Sequence, residues 1–350
     1  MRPFTRAASN RYTCVADRVR LLGAAASLPD TVRSSAEVES LIAASSPGYR
    51  VRPGSVRAIS GVETRRVASD HTQCSDLAAD AAVKALEAAG VAAADVGVLI
   101  FAAASQDLAE PATANIVQEK TGTSCQVFDI KNACNSFLNG LQMAESLILG
   151  GSCDIAVVAT GEICSRGIAW NVRDHEEFRR NFPGYTMGDA GAAAVVGRSD
   201  NGRGIFYRRF VTTSRHWELA TIRGGGSMHP RGDQFTFLDV DGAGLKQAFV
   251  DIAPAVVERM QREAGVAFAD FDRILVHQAT VPYLAEMLEI TGIPADRVEL
   301  TVSEFGNMAS ASMPVAYARA VAAGRIVPGE RVLWFGLASG ISVGVMMMHA

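Results

Sequence analysis

The sequence predicts an α/β protein built by internal duplication. Three observations lead there: short continuous apolar runs of the kind that form buried strands, helical patterns alternating with them, and a second half that repeats the plan of the first. The runs in the first half are "VRLLGAA" from Val19, "VGVLIFAAA" from Val96, "CDIAVVAT" from Cys153 and "AGAAAVVG" from Ala190, and they read as buried parallel strands. Before the second run, "SDLAADAAVKALEAAGV" has apolar residues at helical spacing, a cap at Ser75 or Asp76 and a stop at Gly90. In the second half, "FDRILVHQA" from Phe271 predicts a strand, "VPYLAEMLEITG" and "ASMPVAYARAVAAG" predict helices, and "ERVLWFGLASG" predicts another strand.

The repeat is specific in two places. "VGVLIFAAAS" matches "FDRILVHQAT", and the stretch beginning "NACNSFLNGL" matches the one beginning "GNMASASMPV". Laid over each other, these matches put Cys134 and Asn307 within a residue of the same place, at the start of equivalent helices. Two halves packed about a pseudo-twofold axis would bring those helix amino termini to one centre, where free N–H groups favour anions. The seam falls at "RSDNGRG", residues 198–204, so residues 1–18 read as an extension and 19–200 and 201–350 as the two halves.

Composition narrows the function. Hydrophobic residues make up 49% of the 350 and charged residues 20%, which excludes disordered, collagen-like and coiled-coil chains. A net charge of −4 with no basic run disfavours nucleic acid as a partner, and Arg2, Arg6, Arg11, Arg18 and Arg20 read as a solvated arm. Cys14, Cys74, Cys125, Cys134, Cys153 and Cys164 form no CxxC pair and read as reduced thiols. "LLGAAASLP" is too short for a signal peptide and fits a first strand better, and no run approaches the length of a membrane helix, so a cytoplasmic protein is expected.

Chemistry concentrates at three positions. Cys134, in "FDIKNACNSFLNG", follows a strand and precedes a helix, whose amino terminus is expected to lower the thiol pKa and make it a nucleophile. His277 ends a buried strand in "ILVHQAT", where open α/β sheets place catalytic groups and where an imidazole can bond a thioester oxygen or exchange a proton. Asn307, in "EFGNMASASMP", either caps a helix or donates its amide to a developing oxyanion. The glycines of "MGDAGAAAVVG" and "GLASGISVG" lack the spacing of phosphate loops, so they predict close backbone packing rather than nucleotide binding.

Taken together, "NAC", "VHQA", "FGN", "MGDAGAA" and the terminal "GLASG" resemble the ketoacyl-ACP synthase III branch of the thiolase superfamily, over nearly the whole chain. The resemblance implies a five-layer αβαβα duplication working as a homodimer, with acyl-CoA or acyl carrier protein thioesters as substrates and neither cofactor nor metal. It makes Cys134 the acylated nucleophile, His277 and Asn307 its partners, and the N–H groups of Cys134 and Gly340 the oxyanion hole. Two departures bear on the reaction. Thr280 stands where the malonyl-using enzymes carry Asn, and Glu110, in "SQDLAEPATANIV", is similar to a glutamate of the head-to-head acyl-condensing enzymes of olefin biosynthesis. There it acts as a base on the second acyl chain in the partner's site. The expected reaction is therefore a Claisen condensation of two acyl thioesters. Related stand-alone ketosynthases that join two carrier-bound chains into polyketide products share that pattern. The alternatives are decarboxylative condensation with malonyl-ACP, as in a starter-unit synthase, and acyl transfer to a hydroxyl or amine.

Overall fold

A computed structural model describes residues 18–350. The first sheet is built from β1 (Val19–Ser27), β2 (Val98–Ala102), β3 (Gln126–Ile130), β4 (Ile155–Ile163) and β5 (Asp189–Arg198), in the order β1-β5-β4-β2-β3. The second contains β6 (Ile205–Thr212), β7 (Arg273–Val276), β8 (Arg331–Ala338) and β9 (Ser342–His349), in the order β7-β8-β9-β6. The strands are where the apolar runs predict them, but the sheets are mixed rather than parallel. β2 is parallel to β3 and β4, whereas β5 runs antiparallel to both β1 and β4. An apolar run reports burial on both faces and carries no information on the direction of its neighbour.

Six helices form the layers on and between these sheets: α1 (Cys74–Ala89), α2 (Thr113–Thr121), α3 (Ser136–Leu149), α4 (Gly242–Ala264), α5 (Val281–Thr291) and α6 (Ser312–Ala322). The period of two along β2 assigns the layers. Val98, Ile100 and Ala102 face a core shared with Phe137 and Leu141 of α3, Met313 and Ala316 of α6, and Trp334 and Met346 of the second sheet. Leu99 and Phe101 face α1 and α2 instead, and on the far side Leu333, Phe335 and Val345 pack against α4 and α5. The order is helices, sheet, α3 with α6, sheet, helices: five layers, the thiolase fold.

The duplication is visible in small devices. Gly90 and Gly265 close α1 and α4 at φ 64° and 63°, in the left-handed region that favours glycine. Asn132 donates its N–H to Ser136 Oγ at 2.8 Å, and Met308 donates to Ser312 Oγ at 3.1 Å, each opening a central helix after an alanine at φ +46°, Ala133 or Ala309. That pairing corrects the expected register: Ala133 matches Ala309, so Cys134 lies opposite Ser310, and Asn307 is three residues away opposite Lys131.

Two smaller corrections follow. The cap of α1 is Gln73, with Asp76 three residues in accepting the Gln73 N–H at 2.7 Å, because the helix begins one turn earlier than the apolar spacing signals. Of the expected solvated arginines, Arg2, Arg6 and Arg11 lie outside the described residues, as does nearly all of the proposed extension. Arg18 instead stacks 6.0 Å over the Phe206 ring and Arg20 pairs with Asp200 at 3.2 Å. Among the described residues no helix is long and apolar enough to cross a membrane.

Candidate active site

Cys134 sits on a tight turn between β3 and α3. Ala133 carries the strain, since a residue with a Cβ at φ +46° is held there only by its surroundings. Ser136 Oγ supplies part of that hold by donating to Ala133 O at 2.7 Å while accepting from Asn132 N–H. Asn135 supplies the rest: its side-chain amide donates to Ser342 O and Ser342 Oγ, both at 3.1 Å. It enters a notch where Gly336 of β8 pairs with Gly344 of β9, and a Cβ on Gly336 would collide with Asn135 Oδ1. The Cys134 turn is thereby fixed to the opposite half, beside the β8–β9 turn that contains Gly340 at φ +116°.

His277 directly follows β7, and its N–H extends the sheet by donating to Phe335 O at 3.0 Å, one residue before Gly336. The ring is buried, with 5% exposure, and Nδ1 has no partner. Burial holds its pKa down at about 4, so the imidazole is neutral across the physiological range. Gln278 next to it donates to Glu299 O at 2.6 Å and accepts from Thr301 N–H at 2.9 Å and Val302 N–H at 3.0 Å, which ties the histidine strand to the segment leading to Asn307.

Asn307 is 7% exposed and stands in a loop ahead of α6. Its N–H donates to Thr186 O at 2.8 Å and its carbonyl accepts from Gly188 N–H at 3.0 Å, so it is stitched to the "MGDAG" segment of the first half. The close approach requires glycine, because a Cβ on Gly188 would meet Phe305 O. Ala309 N–H occupies Asn307 Oδ1 at 3.0 Å, which leaves the amide Nδ2 as the group able to donate to a ligand.

Sequence reasoning missed Glu162, at the end of β4. The carboxylate is fully buried and accepts from Ala104 N–H at 2.7 Å, Ser105 N–H at 2.9 Å, Ser310 N–H at 3.3 Å and Ser310 Oγ. The segments leading to Glu110 and following Asn307 thus meet on one carboxylate, and it lies near enough to Cys134 for its charge to act on the thiol. The available signal was a carboxylate inside the apolar run "IAVVATGEI", where a charge survives only if it is bonded.

The expected lowering of the Cys134 pKa is reversed. Burial pushes the thiol up to about 12, the Glu162 charge adds to it, and the backbone N–H at Cys134 offsets only part. The resting site therefore holds a neutral thiol and a neutral imidazole.

Glu110 is exposed on the loop between β2 and α2, with no hydrogen bond or ion pair to other described residues. The flanks of that loop are fixed: Ala104 and Ser105 by Glu162, and Thr113 and Ala114 by the Asp129 carboxylate, each N–H at 2.8 Å. Within one chain the structure does not join Glu110 to Cys134. Thr280 has a local role, capping α5 by accepting the Tyr283 N–H at 3.2 Å. The segments around Trp170 and around Phe237 face one another across a cavity of about 630 Å³. Its walls include Arg173, Glu177, Arg180 and Asp239, a charged lining suited to polar groups rather than to an acyl chain.

Family models agree with this arrangement. Residues 128–213 match 3-oxoacyl-[acyl-carrier-protein (ACP)] synthase III and residues 239–350 match its C-terminal model. A beta-ketoacyl-[acyl-carrier-protein] synthase III of Rhizorhabdus wittichii is 32% identical over 337 residues, covering 93% of this chain and 98% of the relative. This chain belongs to the 3-oxoacyl-ACP synthase III family. Another synthase III, from Neisseria meningitidis, is 30% identical and covers 84% of the chain and 89% of its own length. Among solved structures, cerulenin-bound Xanthomonas campestris OleA superposes with TM-score 0.86 at 25% identity, covering 95% of this chain and 97% of that one. The same holds for a cysteine-to-serine variant of OleA with bound lauric acid and lauroyl-CoA, at TM-score 0.86 and 25% identity, covering 95% and 99%. The chain is a thiolase-superfamily condensing enzyme.

Proposed function

We propose that this synthase III relative loads an acyl group onto Cys134 and condenses it with a second acyl thioester, on CoA or acyl carrier protein, to give a β-ketoacyl product. The observation that carries the reading is the strained Cys134 turn, pinned by Asn135 against the opposite half and lying with neutral His277 in a buried setting. Cys134 Sγ attacks the acyl carbonyl carbon and its proton passes to a ring nitrogen of His277. The tetrahedral intermediate collapses, the carrier's sulfur leaves and takes that proton, and a thioester remains on Cys134. N–H groups of Cys134 and Gly340 stabilise the oxyanion.

In the second half, an α-proton of the incoming acyl thioester is lost to a carboxylate, and His277 and Asn307 Nδ2 hold the resulting enolate oxygen. The α-carbon attacks the acyl–Cys134 carbonyl, a carbon–carbon bond forms, and the Cys134 thiolate leaves and recovers a proton. Glu110 is the proposed carboxylate, acting from a second copy of the chain in a homodimer. Support comes from its exposure on a loop fixed at both ends, and from the full-length likeness to OleA, which has also been crystallised with a glutamate, a histidine or a cysteine replaced. The curated relatives' names favour a second reading, decarboxylative condensation with malonyl-ACP, in which no such base is needed.

Intact-protein and product mass spectrometry with two non-malonyl acyl thioesters tests this. Cys134→Ala forms no adduct; Glu110→Gln forms a normal adduct but little condensed product. Unchanged condensation by Glu110→Gln would remove that residue from the mechanism, and carbon dioxide release from malonyl-ACP would establish the second reading.

A further inference from the structure

Arginine is rarely buried whole unless a carboxylate meets it, because its charge loses the solvation of water. Arg65 is 1% exposed, yet its hydrogen bonds all go to neutral oxygens. It donates to Tyr185 O at 2.9 Å, to Ser35 Oγ at 3.2 Å from both Nη atoms, and to Arg33 O at 3.4 Å. Nε has no partner among the described residues. Burial holds the pKa down to about 10, so the guanidinium keeps its charge at neutral pH. A buried charge with no counter-charge lowers stability, and a neutral side chain would avoid that cost. The use of Arg65 lies in what its head and stem hold in place.

Arg65 belongs to the short strand Thr64–Val67, which runs alongside the segment leading to Asn307. Glu63 N–H donates to Ser303 O at 2.8 Å, and Thr64 Oγ1 donates to Glu304 O at 2.7 Å. A Cβ added to Gly188 or Gly306 would lie 3.1 or 3.4 Å from Arg65 Cβ, so the arginine stem rests against both glycines. Gly306 immediately precedes Asn307, and Gly188 donates its N–H to Asn307 O at 3.0 Å. From there Nη2 reaches the carbonyl of Tyr185. The next residue, Thr186, accepts the Asn307 N–H at 2.8 Å, and Met187 pairs with Asn307 in a parallel bridge. The stem therefore touches both chains of the crossing that fixes the Asn307 backbone, and the head secures one of them. A charged donor bonds an oxygen about twice as strongly as a neutral one, and the planar guanidinium fixes the direction of the bond as well.

We propose that Arg65 is a positioning residue of the condensation half-reaction: by holding Tyr185 O it fixes the Thr186–Gly188 segment, and through that segment the direction in which Asn307 Nδ2 meets the enolate oxygen. Arg65 touches no reacting atom, and it neither gives nor takes a proton. The Cys134 turn has separate anchors, in Ser136 and in Asn135 with Ser342, so the acylation half-reaction does not depend on Arg65. The assignment rests on the role proposed for Asn307 in the second half-reaction.

The test compares full-length wild type with Arg65→Lys, Arg65→Met, Asn307→Ala and the double variant carrying Arg65→Lys with Asn307→Ala. Lysine keeps the charge without the planar fork; methionine keeps the apolar stem without a donor. Lauroyl-CoA loads Cys134, timed by intact mass, and the acyl-enzyme is then mixed with fresh lauroyl-CoA and the condensed product timed by mass spectrometry. The expected result for Arg65→Met is condensation slowed on the order of 100-fold, the cost of moving a positioned group by about 1 Å, with acylation within about threefold of wild type. Arg65→Lys should lose less, and the double variant should condense no more slowly than Asn307→Ala alone. A residue that only supports the fold would slow both half-reactions together, and its loss would add to that of Asn307. Condensation by Arg65→Met within about threefold of wild type overturns the assignment, as do equal losses in the two half-reactions. Should Arg65→Met not fold, the lysine pair decides: a double variant slowed by the product of the two single losses overturns the assignment, and one no slower than Asn307→Ala upholds it. Wild type that condenses only with malonyl-ACP defeats the two-chain reading, and the same comparison with that acceptor decides Arg65. Wild type that condenses with neither defeats both.

Discussion

Replacing Glu162 with glutamine tests the carboxylate on which two segments, at Ala104–Ser105 and at Ser310, converge. One carboxylate oxygen accepts from Ala104 N–H, Ser310 N–H and Ser310 Oγ, the other from Ser105 N–H at 2.9 Å. Glutamine keeps the first set only by turning its NH₂ towards Ser105 N–H, so two donors face each other in a site closed to water. The lost bond to a charged group costs about 1.5–3 kcal/mol, and relief from burying a charge offsets part of it, for a net loss of about 2 kcal/mol. At 2–4 °C per kcal/mol for a large domain, the melting temperature falls by roughly 4–8 °C. The same substitution removes a negative charge that raises the Cys134 pKa, so iodoacetamide alkylates the Cys134 peptide faster at pH 8. Calorimetry with peptide-resolved alkylation gives both numbers. An unchanged melting temperature together with unchanged or slower alkylation would mean that Glu162 neither holds these segments nor acts on the thiol.

Other perturbations reach different parts of the molecule. Gly336→Ala drives a Cβ into Asn135 Oδ1, so it should cost about 1–3 kcal/mol and slow adduct formation; Asn135→Ala in the same chain should recover part of the stability, and strictly additive losses in a double-mutant cycle would count against the notch. Glu145 in α3 is 3% exposed in its side chain beside Arg208, 2.9 Å away, and burial outweighs that arginine to raise its carboxyl pKa to about 7. Between an unfolded value near 4.5 and that folded value the native state binds more protons, so this group makes stability fall as pH rises. Glu145→Gln should therefore gain on wild type from pH 4.5 to 7, by up to about 3 kcal/mol, as read by urea unfolding at each pH.

The strands and long helices could be read from sequence because burial on both faces of a sheet, and on one face of a helix, leaves a local pattern. So could the places of Cys134, His277 and Asn307 in the fold, each at a strand end or a Gly-led turn. What escaped depends on distant chain. The turn at Cys134 rests on Ala133 at φ +46°, a conformation that alanine does not advertise and that Asn135 secures by bonding Ser342 of the other half. The repeat register slipped by two residues because composition alone aligned "NAC" with "GNM", whereas the serine that bonds back four residues, Ser136 or Ser312, sets the true offset. The pKa of Cys134 could not be inferred from its place before α3, because burial and Glu162, 28 residues on, outweigh the helix terminus.

That thiol, near 12, beside an imidazole near 4, predicts two different pH profiles at one atom. Iodoacetamide is attacked at its methylene carbon with loss of iodide and builds no charge on a carbonyl oxygen, so it depends on the small thiolate fraction; its rate at Cys134 should rise about tenfold per pH unit from pH 6 to 10. Acyl transfer is different, because the thiol proton can pass to neutral His277 while charge builds on the bound carbonyl oxygen. For the imidazole the sign is that of a depressed base: it is neutral above its folded pKa and charged only below, so acylation should not respond to its titration above about pH 5. The fold follows the same direction, since between about 4 and 6.5 the unfolded chain binds the extra proton and stability rises with pH, opposing the Glu145 trend. Stopped-flow acylation and peptide-resolved alkylation over one pH series separate the cases. An alkylation plateau reached by pH 7 would instead mark a preformed thiolate–imidazolium pair, and the neutral resting site would have to be abandoned.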